Sequence, residues 1–105
     1  MVVSRISCEK AHEIIHTEPC HVLDIRDPQA FRSGHPSGAI LIDNNTLPSF
    51  LKEADPKVTT LVFCYHGNSS QQAALYLQNE GFSTVHSVDG GVEMWRQLYP
   101  AKLEA

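Results

Sequence analysis

An unbroken run of β-branched and apolar residues, Thr59-Thr60-Leu61-Val62-Phe63, has no polar face to offer solvent. Such a strand must be covered on both sides, as at the centre of a parallel sheet. Around it, short apolar runs alternate with helical patterns. Ser7 is placed to cap a first helix carrying Cys8, Ala11, Ile14 and Ile15 at helical spacing, ending before Pro19. His21 to Ile25 reads as a strand, and Asp27-Pro28 as a cap and first helical position, with Gly34 stopping that helix after two turns. Ala39 to Ile42 is a further short strand, and Thr46 is placed to cap a helix from Leu47 to Ala54. Beyond the central run come a polar loop, a helix from Ser70 to Glu80 with Gly81 as its terminator, and a strand from Thr84 to Val88. Gly90-Gly91 leads into a last helix closed by Pro100.

No Asn-Gly type hairpin signal joins two strands. The alternation therefore predicts an α/β layer fold with a mainly parallel central sheet of about five strands and helices on both faces. A chain of 105 residues with 42% hydrophobic and 19% charged residues fits one domain, residues 1–105 with a core of about 4–100. Apolar runs of about five residues fall far short of the roughly 20 needed to span a membrane, and the first residues lack the features of a signal peptide. With 8 Lys and Arg against 12 Asp and Glu and no basic cluster, a nucleic-acid surface is not expected. A cytoplasmic protein is. Three cysteines, unevenly spaced and without a Cys-x-x-Cys pair, encode neither a zinc site nor a disulfide framework.

Ligands of such folds gather at the carboxyl ends of strands. Cys64 stands there, where the central strand gives way to a polar loop and then a helix start. Unpaired N–H groups and the helix dipole at that start lower a thiol pKa and favour the nucleophilic thiolate. Gly67 lets the backbone curl so that several N–H groups converge, making an anion-binding nest. No Lys or Arg lies between Lys57 and Arg96. An anion in this loop must therefore rest on amides, the dipole, the hydroxyls of Ser69 and Ser70, and His66. The competing reading makes Cys64 a small buried hydrophobe, as free cysteines often are. Cys8 and Cys20 lack any anion-stabilising context and read as structural.

Taken in order, several segments resemble the rhodanese family of sulfurtransferases. They are Leu23-Asp24-Ile25-Arg26 with Phe31 and Gly34-His35-Pro36-Ser37-Gly38-Ala39, then Cys64-Tyr65-His66-Gly67-Asn68-Ser69, then Gly81-Phe82 through Asp89-Gly90-Gly91 to Trp95. The resemblance runs from about Ser4 to Pro100 and implies a rhodanese-like domain. It also implies a cofactor-free double displacement: Cys64 takes the sulfane sulfur of thiosulfate as a persulfide, releases sulfite, and passes the sulfur to cyanide, a small thiol or a thioredoxin-like dithiol. Tyr65, His66, Gly67, Asn68 and Ser69 would form the binding loop. Asp24 and Arg26 would fix its geometry rather than react. Many rhodaneses carry Arg or Lys in this loop, and its replacement here by His66 and Asn68 predicts weak thiosulfate binding.

Three other readings compete. Cysteine phosphatases need Cys-x5-Arg, and that position is Ser70, so the bidentate partner for a phosphate dianion is missing. A sulfur carrier whose donor is not thiosulfate would share the same Cys64 chemistry. Rhodanese-like domains that serve as regulatory binding modules usually lack the loop cysteine, so the intact Cys64 loop weighs against that reading. His35 in its Gly-His-Pro turn, Trp95 with Leu98, and His12, His16 and His86 read as structural.

Overall fold

A computed structural model describes residues 2–105 of the chain. Its elements in order are β1 (Ser4–Ile6), α1 (Cys8–Thr17), β2 (Cys20–Asp24), α2 (Pro28–Ser33), β3 (His35–Pro36), β4 (Ile40–Leu41) and α3 (Leu47–Glu53). There follow β5 (Thr59–Phe63), α4 (Ser69–Asn79), β6 (Val85–Val88), α5 (Gly91–Leu98), a 3-10 turn (Pro100–Lys102) and β7 (Leu103–Glu104). Five strands form one sheet in the order β1-β6-β5-β2-β4, every pairing parallel. β5 occupies the middle, as its unbroken apolar sequence requires; Thr60 to Phe63 are all buried.

The period of two along each strand sorts the core into two layers. Val22, Leu61, Phe63 and Val88 face α1 and α5, packing with Cys8, Ala11, Ile14, Val92 and Trp95. Leu23, Val62 and Val85 face the other side, against Phe50 of α3 and Ala74 and Leu77 of α4. Helices thus cover both faces. Among the described residues no helix is long and apolar enough to cross a membrane.

Local chemistry sets most element ends as expected. Ser7 accepts from the Lys10 N–H at 3.0 Å, and Asp27 from the Ala30 N–H at 2.8 Å, so both cap their helices. Thr46 does not. It adopts helical dihedrals and makes no side-chain cap bond; its hydroxyl donates to Leu41 O and accepts from the Asp43 N–H. Asp43 supplies the turn instead, its carboxylate accepting from the N–H groups of Asn45 and Thr46.

Two pairings were not expected. Ser4–Ile6 adds an edge strand beside β6, too short to carry its own periodicity. β3 and β7 form a separate antiparallel pair, His35 opposite Glu104 and Pro36 opposite Leu103. The tail is further tied down by Ser37 N–H and the Trp95 indole N–H, both donating to Lys102 O.

The sheet order fixes where a site can form. From β2 the chain moves outward to β4, and from β5 it moves the opposite way to β6. Loops leaving the carboxyl ends of these two neighbours therefore diverge, and a crevice opens between them.

Candidate active site

Cys64 follows β5 directly into that crevice. Its side chain is buried, at the foot of a cavity of about 220 Å³ whose walls are Tyr65, His66, Asn68 and Ser69. Gly67 and Ser70 aim their N–H groups at Sγ from 3.1 and 3.3 Å, and the Ser70 hydroxyl lies 3.2 Å away. Burial pushes the Cys64 thiol up, yet the Ser70 hydroxyl and the N–H groups of Ser70, Gly67 and His66 outweigh it and hold the thiol below its ordinary value. The other two cysteines go the opposite way. Burial, Glu9 and Asp89 push Cys8 up to about 11, and burial with Glu18 raises Cys20. Only Cys64 combines a lowered pKa with a cavity over its sulfur.

Close backbone approaches build the nest. Gly67 has φ +92°, and a Cβ there would stand 2.9 Å from Gly90 N and 3.0 Å from Val88 O. At Gly91 a Cβ would lie 2.3 Å from Cys64 O and 2.5 Å from Tyr65 O. The bare Gly91 lets the start of α5 press on the loop, where Val92 and Glu93 N–H groups donate to Cys64 O and Tyr65 O. Gln71 closes the other side by donating to Gly67 O at 3.0 Å.

His66 and Asn68 are exposed and line the cavity. Asn68 precedes α4 without capping it, which leaves its amide free to donate into the cavity. Asp24 and Arg26 lie behind the loop, both buried, in a bidentate pair of 2.7–3.1 Å. The guanidinium also donates to Gly34 O at 2.7 Å, and the Asp24 carboxylate accepts the Arg26 N–H. Arg26 thus spends its Nε and Nη2 donors on Asp24 and Gly34. Among the described residues no Lys or Arg lines the cavity over Cys64.

Ser87 escaped the sequence reading. Fully buried on β6, its hydroxyl sits 2.7 Å from that of Ser70. The Cys64 thiol donates to Ser70, whose proton then points to Ser87; when the sulfur is a thiolate, Ser70 donates to it and Ser87 donates to Ser70. The faint signal was a serine inside an apolar strand, where a polar side chain needs a partner. A larger concavity of about 440 Å³ lies between β4 and α3, lined by His21, Ile40, Thr46, Phe50 and Glu53 among others. It shares no residue with the Cys64 cavity and has no cysteine in its lining.

Fold and site together define a class: a parallel α/β domain presenting a thiol of lowered pKa in a backbone nest at the end of its central strand. Residues 7–98 match the rhodanese-like domain family, and the chain belongs to it. Thiosulfate sulfurtransferase GlpE of Pseudomonas putida is 55% identical over 98 residues, covering 93% of this chain and 89% of its own. The protein of that name from Stutzerimonas stutzeri is 49% identical over 100 residues, covering 95% and 91%. The rhodanese-like domain of the Anabaena Alr3790 protein shares the fold at TM-score 0.85 and 20% identity, over 99% of this chain and 80% of that one.

Proposed function

We propose that this protein is a thiosulfate sulfurtransferase working through a persulfide on Cys64. The observation that carries the reading is the nest: two N–H groups and one hydroxyl within 3.3 Å of a sulfur under an open cavity. The relatives named thiosulfate sulfurtransferase GlpE support the substrate.

In the first half-reaction the Cys64 thiolate attacks the outer sulfur of thiosulfate. The new S–S bond forms as the S–SO3 bond breaks, and its electron pair leaves with sulfite. One negative charge remains on the persulfide and two on sulfite, so charge balances. Oriented N–H donors hold the anionic sulfur without reorganising during the step. Asn68 and His66 offer hydrogen bonds to the sulfonate oxygens. In the second half-reaction cyanide, or a small thiol or dithiol, takes the terminal sulfur and returns the Cys64 thiolate. A thioredoxin-like protein fits the dithiol role. Asp24 and Arg26 support the loop. A cytoplasmic setting suits three unpaired cysteines.

With no Lys or Arg lining the cavity among the described residues, thiosulfate is held by hydrogen-bond dipoles, and its KM should be high. Steady-state assay of thiocyanate formation from thiosulfate and cyanide tests the reading. Activity abolished in Cys64→Ser, with thiosulfate saturating only in the millimolar range, is the expected outcome. Equal activity in Cys64→Ser would overturn it.

A further inference from the structure

The ring of Tyr65 is one wall of the cavity over Cys64, yet it is 42% exposed and has no place in either core layer. Something other than packing must hold it. Its hydroxyl donates to Asp27 Oδ2 at 2.5 Å, a charge-assisted bond. The Arg26 guanidinium stands 5.6 Å from the ring centroid, itself pinned by Asp24 and Gly34 O. The Tyr65 carbonyl accepts the Glu93 N–H. The backbone is thus held from α5, and the face and hydroxyl from Arg26 and Asp27 in the connection between β2 and α2.

Asp27 holds the far end of this arrangement through the other oxygen of its carboxylate. Oδ1 caps α2 while Oδ2 takes the phenol, so the start of α2 and the wall of the cavity share one rigid side chain. An exposed hydrogen bond contributes little to global stability. Its consequence here is positional. A ring released from Asp27 can swing about its side-chain torsions into solvent, widening the mouth above a sulfur that otherwise lies at the bottom of a space of about 220 Å³.

We propose that Asp27 is a positioning residue that latches Tyr65 across the mouth of the Cys64 cavity, restricting access to compact reagents of thiosulfate size and hindering those with an aryl or larger substituent. The proposal rests on Cys64 being the reactive thiol of the proposed sulfurtransferase, but its test does not require sulfur transfer.

The test compares second-order rates of Cys64 alkylation by iodoacetamide and by N-phenylmaleimide, with Cys64→Ser supplying the background from Cys8 and Cys20. Tyr65→Phe keeps the ring and removes the hydroxyl. Asp27→Ser keeps a helix cap and removes the reach to Tyr65. Each should raise the phenylmaleimide-to-iodoacetamide ratio about threefold or more, as expected for losing one hydrogen bond. The double variant should show no more than the larger single effect, because both changes break the same latch. A purely structural role for Asp27 would change both rates together and leave the ratio alone. An unchanged ratio in both single variants, or effects that multiply in the double, would overturn the latch. Wild-type protein inert toward thiosulfate would overturn the proposed activity, while the ratio would still decide for or against the latch.

Discussion

Around Cys64 the outcome is decided by a contest between burial, which favours the neutral thiol, and four donors that favour the thiolate. Ser70 supplies two of those donors, its N–H and its hydroxyl, and among the described residues Ser87 is the only side chain hydrogen-bonded to that hydroxyl besides Cys64. Ser70→Ala should therefore move the pH profile of Cys64 alkylation to higher pH. Ser87→Ala should move it the same way by less. Superimposable profiles would refute the relay. Behind the loop, Asp24→Ala leaves the Arg26 guanidinium buried with only Gly34 O, and should cost about 3–5 kcal/mol in denaturant unfolding. At this scale the sequence was readable where chemistry is local: a cysteine at a strand end, a glycine in the loop, a helix after it. Ser87 lies 17 residues from Ser70 and meets it only because β6 pairs with β5, a juxtaposition no local pattern announces. The Tyr65–Asp27 bond spans 38 residues and was invisible for the same reason.

Among the elements, β5 and the helix after it were legible nearly to the residue, since an apolar run or a capped periodic stretch has one stable reading. The failures came where tertiary partners replaced local signals. Thr46 looked like a cap, but a nearby carbonyl and N–H captured its hydroxyl and left Asp43 to shape the turn. β3 and β7 are two residues each and exist only because each finds the other. The contact between α5 and the active loop was likewise hidden in the plain dipeptide Gly90-Gly91. There the absence of a side chain at Gly91 is what lets two carbonyls approach. Gly91→Ala must push the helix and loop apart, on top of a φ of +57° that L residues rarely adopt. We expect it to cost about 3 kcal/mol by urea unfolding and to slow Cys64 alkylation at neutral pH. A variant with wild-type stability and reactivity would show that the close approach is not needed.

For the molecule as a whole, two histidines whose pKa values folding lowers contribute to acid sensitivity. Burial lowers His86 on β6, and burial followed by His16 and Lys102 lowers His12, whose ring stacks on Tyr99 at 4.1 Å. A histidine lowered in the folded state contributes stability above its unfolded value of 6.5, and that contribution is lost as pH falls below it. The urea midpoint should therefore drop between about pH 7.5 and pH 5.5, and His86→Gln should show a smaller drop. A flat profile in that window would contradict the assignment. Asp27 is lowered by its bonds to Tyr65 and Ala30, so its contribution disappears only below the carboxylate value of 3.8, a separate window.

The central claim is that the lowered thiol of Cys64 takes up sulfur. The most direct measurement is an intact mass under non-reducing conditions after incubation with thiosulfate, on wild type and Cys64→Ser side by side. A gain of one sulfur atom in wild type, absent from the variant and removed by cyanide as thiocyanate, is the predicted result. An unmodified wild type whose Cys64 thiol still reacts with iodoacetamide would contradict the account, and thiosulfate would not be the donor.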